Sequence, residues 1–586
     1  MYNKVMIVKT CDFIAKKSLF ALIFILPLFF LPLTIDVLDF SKQYLMIFLV
    51  FLSAIAWMIA SLVSKKLVVI KTPLHIVAIF LLVAMTTATI FSQYKFGSFF
   101  GASFLASESL VSILCFLVFF FLVSNIFSKK DAVTSFIIFL CSAVVAQIFG
   151  VLQLFGYSLG LNNTIGSFGS LGIFAVIAFP VAVSLFIFVK NWWRVLFIFQ
   201  IVLSLVLAIL IQNPEVWIVF ACISAFMLIF CFIKKDFADA RWMAFPAFIL
   251  VISVFFAIYN PQFDWPKQKV NEVYLPQEVS FNIAVRSIKE NPIFGSGPGT
   301  FSYNFLRFKS PEFSNTDLGS LSFNASASKI LDYMATTGVV GVLAILLFMV
   351  FVITLGIKHF TNKHKGSYDI LIFGALASYI GACITYFVYN PALTLDFCYF
   401  FFASIIVVLV SKIRPEYELK PFSRKTLFLT VVFTIICIFI LGLFVVSFKN
   451  YFAEIKYYQS MVSYQVGDNK TGLKKLEQAV NLNKNSDVYF RQLAQAYLFE
   501  LSTLSSVQDE ERFKTLISDC INASNNAIKL NPQNASNLAL AGFIYQNMIG
   551  IVDGAKEWAL KSYQSALELD PQNKIIQKIL SELSTI

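Results

Sequence analysis

The chain has 586 residues, 58% of them hydrophobic and only 13% charged, with a mean hydropathy of +0.78. A folded surface in water needs nearer a quarter of charged residues, so an ordinary soluble protein is excluded. The formal charge of +12 is spread over short basic clusters between apolar runs. That is the pattern of membrane orientation rather than of one basic face for nucleic acid, which is excluded as a partner.

Taken in chain order, runs long enough to cross about 30 Å of hydrocarbon at 1.5 Å per residue fall near 18–35, 43–63, 73–92 and 110–128. Further runs fall near 132–156, 170–189, 194–211, 215–233 and 242–259, and the last four near 338–357, 368–388, 394–411 and 426–448. The first follows Lys16-Lys17 but carries no small-residue cleavage site and leads straight into the next, so it reads as an uncleaved first span. The expected fold is all-α: a polytopic bundle of about 13 transmembrane helices with a soluble helical-repeat tail. Its parts are residues 1–259, an outer loop 260–337, the helices of 338–448 and the tail 449–586.

Orientation follows from the charges. With the N-terminus inside, the cytoplasmic turns carry Lys65, Lys66 and Lys71, then Lys129 and Lys130, then Lys190 and Arg194, and so on to Lys412, Arg414, Lys420, Arg424 and Lys425. The short outer turns hold only Lys42 and Lys95. Basic residues stay on the cytoplasmic side of a bilayer. The expectation is therefore a multi-pass plasma-membrane protein whose large loop and tail both lie outside the cytoplasm.

The loop contains a helical period over Phe281, Ile283, Ala284 and Ile288, stopped by Asn291-Pro292 and followed by a turn with Gly295, Gly297 and Gly299. A nucleotide loop would need a preceding strand and a following Gly-Lys-Ser/Thr, and neither is present. The tail repeats a block: Ala527-Ile528-Lys529-Leu530-Asn531-Pro532 recurs as Ala566-Leu567-Glu568-Leu569-Asp570-Pro571, with a weaker copy at Ala479 to Asn485. A small Ala between paired helices and an Asn/Asp-Pro stop are the marks of a tetratricopeptide-like array, which offers a surface to protein partners. The nine cysteines and three histidines form no CxxC or Cys/His cluster, so no metal, cofactor or disulfide framework is expected.

The stretch Pro292-Ile293-Phe294-Gly295-Ser296-Gly297-Pro298-Gly299-Thr300-Phe301, with Leu331-Asp332-Tyr333-Met334-Ala335-Thr336-Thr337-Gly338 entering the next span, resembles the O-antigen ligase and O-antigen polymerase family of membrane glycosyltransferases. The resemblance implies metal-independent glycan transfer from an undecaprenyl-pyrophosphate-linked oligosaccharide donor to a lipid, glycan or protein acceptor. It also implies Arg residues at outer positions and a His just before the Leu-x-x-x-Ala-x-Thr-Gly segment. Here the His position falls at Ala327 and the usual loop Arg at about Glu278. Such transfer needs cations for the leaving pyrophosphate and a base for the acceptor. The candidates are Arg286, Lys289 and Glu278 for the chemistry, and Gly295, Gly297, Gly299 and Asp396 for binding substrate, Asp396 because charge inside a span is costly. A non-catalytic membrane scaffold presenting its repeats to envelope proteins is the alternative. A transporter is disfavoured by the lack of an inverted repeat of interrupted helices.

Overall fold

The computed structural model describes residues 2–585 except 102–105, 158–162, 234–239, 262, 264–271, 362–365, 412–414, 421–422 and 504–509. Helices dominate the described residues. The first part holds α1 (Tyr2–Ile25), α2 (Asp39–Ser64), the short strand β1 (Lys66–Val68), α3 (Leu74–Ile90), α4 (Lys95–Phe100) and α5 (Leu110–Ile126). It continues through α6 (Lys129–Leu154), α7 (Phe168–Phe188), α8 (Arg194–Ile211), α9 (Pro214–Ile233) and α10 (Ala240–Tyr259). The loop builds α11 (Gln277–Glu290), α12 (Phe301–Phe308), α13 (Pro311–Ser314) and α14 (Lys329–Thr336). Then come α15 (Gly338–Thr361), α16 (Asp369–Val388), α17 (Leu393–Val410), the strand β2 (Glu416–Glu418) and α18 (Arg424–Gln465). The tail adds α19 (Asn469–Leu482), α20 (Asp487–Thr503), α21 (Glu510–Leu530), α22 (Ala535–Asn547), α23 (Ala555–Leu569) and α24 (Lys574–Thr585).

Among the described residues nine helices, α2, α6 to α9 and α15 to α18, are long and apolar enough to cross a membrane. Helices α3 and α5 and the Ala244–Tyr259 part of α10 are apolar but shorter. The first expected span is displaced. Instead of covering 18–35, its helix runs from Tyr2 and ends at Ile25, because Pro27 and Pro32 bracket the next four residues and cannot continue a helix. The all-α expectation holds, with one small addition. Lys66–Val68 and Glu416–Glu418 form a two-stranded antiparallel ladder, with Lys66 Nζ 2.9 Å from Glu416 Oε2.

Helix α17 is the axis of the bundle and is buried along its whole length. It packs against α16, α5, α15, α6 and α2, largely through phenylalanine. Phe400 stacks on Phe116 of α5 at 5.2 Å between centroids, and Phe401 meets Phe139 of α6 at 5.3 Å. Much of the phenylalanine is thus interior packing rather than lipid contact. Small residues bring other helices closer: a Cβ on Gly374 of α16 would lie 2.3 Å from Ser184 Oγ of α7. Helices without a hydrophobic drive between them associate through such close contact. By contrast, α18 turns Phe428, Val431, Ile435, Ile438 and Phe439 outward.

In the tail, α18 with α19, α20 with α21, and α22 with α23 pack as successive pairs. The three repeat blocks end the second helix of each pair. Ala479, Ala527 and Ala566 are buried between helices, and Asn483, Asn531 and Asp570 follow the last turns. Helix α18 runs unbroken through 448 and 449, so the last apolar run and the first repeat helix are one element.

Candidate functional site

The N-terminal end of α17 gathers charge from three directions. Asp396, in its first turn, lies 3.3 Å from the Lys329 ammonium at the start of α14. The same ammonium is 3.6 Å from Glu108, which ends a short 3-10 turn, Ala106–Glu108. The Lys329 and Glu108 side chains are 0% and 4% exposed. The Tyr333 ring, one turn along α14, covers the ammonium at 5.4 Å. Next to it in sequence, Asp332 is fully buried and accepts the Ser326 amide at 3.3 Å.

A second lysine approaches the same helix end. Lys42 of α2 donates to Thr394 Oγ1 at 2.8 Å and to the Thr164 carbonyl, while Asp39 Oδ2 accepts the Leu393 amide at 3.2 Å. Gln43 beside it ties α2 to the segment that delivers Glu108, donating to the Phe100 carbonyl at 2.9 Å and to Ser109 and Ser112.

The charges do not balance, and that has chemical consequences. Burial alone would depress the Lys329 ammonium, but Asp396 and then Glu108 outweigh it and hold its pKa above the ordinary lysine value. Burial, and then the neighbouring Glu108 charge, hold the Asp332 carboxyl well above the usual range. A buried carboxyl beside another negative charge keeps its proton. The outer oxygens Glu108 Oε2 and Asp332 Oδ2, each lacking a donor from the protein, are the atoms such a proton would join. The result is one ammonium, two carboxylates and one carboxylic acid sealed in low-dielectric surroundings. A group so arranged can donate a proton, accept one, or hold an anion if a carboxylate gives way.

Of the residues expected from sequence, only Asp396 lies in this cluster. Arg286, Lys289 and Glu278 stand on the exposed face of α11, with Arg286 Nη1 donating to the Phe308 carbonyl at 3.2 Å. The opposite face, Ser280, Ile283, Ala284 and Ser287, is the one that packs. The three glycines all have positive φ, +64° at Gly295, +113° at Gly297 and +70° at Gly299, and the turn is occupied by the protein itself. Gly297 N donates to Thr336 O at 2.7 Å and Gln93 N to Ser296 O at 2.9 Å, stapling the loop to α14 and to the end of α3. Lys329, Glu108, Asp332 and Lys42 were not site candidates in the sequence reading, where Lys42 counted only as an outer-turn charge and Asp332 only as part of the segment entering the span. A lone charge in an outer segment reads as solvated, and no periodicity betrays that these four converge.

No protein-family model and no curated protein sequence matches the chain. Among solved structures, the crystal structure of yeast Tom70 is similar at 11% identity, over 78% of this chain and 89% of that one, with a TM-score of 0.17. A similarity that low bears on neither fold nor function.

Proposed function

We propose that the chain is a thirteen-span membrane glycosyltransferase, a divergent relative of the O-antigen ligases and polymerases. In this reading it takes a glycan from an undecaprenyl-pyrophosphate donor at the outer end of the bundle. The observation that carries the proposal is the buried Lys329 ammonium between Asp396 and Glu108, two residues beyond Ala327, where the resembled family places its His. Ionic groups sealed in an apolar bundle are costly and are kept where they act.

In the proposed reaction the acceptor O–H or N–H attacks the anomeric carbon, the bond to pyrophosphate breaks, and the proton passes to a carboxylate. Asp396 or Glu108 takes that proton, Asp332 retains its own, and Lys329 exchanges a carboxylate for the leaving pyrophosphate. Arg286 and Lys289, exposed on α11, attract the anionic donor from outside, with Glu278 beside them.

The test is a transfer assay with purified protein and lipid-linked glycan. Glu108→Gln and Asp396→Asn are expected to cut transfer about a hundredfold, a few kcal/mol of barrier, with insertion unchanged. Arg286→Ala with Lys289→Ala is expected to raise KM more than it lowers kcat. The full enclosure of Lys329 favours a second reading, in which the cluster only locks the bundle and the protein is a scaffold. Wild-type protein that binds donor without ever transferring it would establish that reading instead.

A further inference from the structure

Between the outer end of the bundle and the docked tail lies a cavity of about 350 Å³, within the range of small-molecule sites. Its walls come from four places: the start of α2, the segment Tyr94–Gly101, the loop helix α12, and the tail helices α18 and α20. It therefore exists only while the tail is docked. Tyr94, Tyr303, Tyr457 and Tyr489 line it together with Phe96 and Phe100.

Two lining residues set the polarity of the cavity, a buried carboxylate and an amide with an open donor. Asp487, 1% exposed, receives three amides on Oδ2, from Asn531, Asn534 and Asn537 at 3.0, 3.0 and 2.9 Å. The Tyr94 phenol donates to the same carboxylate. Burial and then that charge hold the Tyr94 phenol well above its ordinary value, so it stays neutral. Asn450, 7% exposed, leaves Nδ2 unpartnered. A buried polar atom without a partner costs roughly 1–3 kcal/mol, so the open Asn450 donor calls for a ligand that brings an oxygen acceptor, such as a hydroxyl or ring oxygen.

The charges narrow the class. Glu454, Asp487 and a single Arg491 are the charged residues that line the cavity. Glu454 accepts the Tyr489 hydroxyl at 2.5 Å and Arg491 donates to Asn537 at 3.1 Å. The formal sum is negative, which repels phosphate and pyrophosphate. Aromatic side chains from both the bundle and the tail, with one open donor, suit the alternating C–H and O–H surfaces of a pyranose ring. We propose that this cavity binds a neutral sugar unit of the glycan, away from the pyrophosphate. That assignment rests on the glycan-transfer reading. The segment lining the cavity at Tyr94–Gly101 leads into Ala106–Glu108, so the same stretch of chain touches both sites.

The test uses the full chain in lipid nanodiscs and calorimetric titration with neutral trisaccharides (maltotriose, cellotriose, chitotriose and mannotriose), with pyrophosphate and extended tripeptides as rivals. At least one trisaccharide is expected to saturate, and Asp487→Asn and Tyr94→Leu to weaken it tenfold or more. Asn450→Leu gives the sharper result, because it removes an unpaired donor. The free protein should melt no lower than wild type while sugar affinity falls. Binding by none of the trisaccharides, unchanged affinity in all three variants, or saturation by pyrophosphate or peptide instead would overturn the proposal. Sugar binding without transfer would sink the enzyme and keep this site. Transfer by Asn450→Leu at the wild-type kcat and KM would keep the enzyme and sink the site.

Discussion

Lys329 holds two carboxylates to one cation, so its removal and the neutralisation of Asp332 should act in opposite ways. Lys329→Met leaves Asp396 and Glu108 buried without a counter-charge, which typically costs about 3–5 kcal/mol. Asp332→Asn replaces a carboxyl that is already protonated with a neutral group of the same shape, and its amide can donate to Glu108. The pH dependence follows from the raised Asp332 value. Above about pH 4 the unfolded carboxyl has released its proton while the native one keeps it, so the native state binds more protons and stability falls as pH rises. The fall continues until the native carboxyl itself ionises. Melting temperatures of detergent-solubilised protein between pH 4.5 and 8 should show this decline in wild type and a flatter line in Asp332→Asn. A variant about 5 °C or more below wild type at pH 8, on the order of 1–2 kcal/mol, would mean that Asp332 is ionised and paired. Of this cluster only Asp396 was legible in the sequence, because it alone interrupts an apolar run. Lys329 and Glu108 stand where a chain normally meets water, and their burial depends on helices far away in sequence.

The elements were more legible than the site, since long apolar runs and repeat blocks are local signals. Eleven expected spans coincide with helices to within a few residues, the twelfth helix runs on from its expected end near 448 to Gln465, and the repeat blocks of Ala479, Ala527 and Ala566 end α19, α21 and α23. What escaped were features set by tertiary pairing. The β1–β2 ladder joins three-residue strands more than 340 residues apart, and its Lys66 had been read only as an orientation charge. The glycine turn was visible as a turn, but not what it touches. A Cβ on Gly297 would lie 2.0 Å from Ser92 Oγ and 2.9 Å from Ser92 Cα, and one on Gly295 2.4 Å from the Thr336 carbonyl carbon. Both positions also need positive φ. Gly295→Ala and Gly297→Ala should therefore cost about 2–4 kcal/mol by combining backbone strain with overpacking. Gly442 of α18, with nothing within 4 Å of a built Cβ, should gain about 0.5–1 kcal/mol as Ala. Thermal unfolding of the three variants orders them. If Gly297→Ala melts with wild type, the turn is not a staple.

At the scale of the whole molecule, the tail packs against the loop end of the bundle rather than hanging as a free arm. Lys309 of the loop pairs with Asp570 at 3.0 Å, both nearly buried, and Asn531 Nδ2 donates to the Tyr303 hydroxyl at 2.8 Å. Loop and tail must therefore lie on one side of any membrane the bundle crosses, which requires an even number of crossings between them. Helices α15, α16, α17 and α18 supply four. At the other end the β1–β2 ladder fixes the C-terminal ends of α2 and α17 together, beside the basic turns whose charge makes that end the one expected to face the cytoplasm. These constraints come from different physics, packing in one case and charge in the other, so their agreement can be tested residue by residue. Lys289→Cys on α11 and Glu582→Cys on α24, both exposed, should react with an impermeant maleimide in cells whose outer layers are permeabilised, above the background of the native cysteines. Glu418→Cys, exposed on β2, should react only after the inner membrane is broken. Labelling at Lys289→Cys with protection at Glu582→Cys would put loop and tail on opposite sides. One of the four helices would then fail to cross, and the cavity between loop and tail could not exist in the cell.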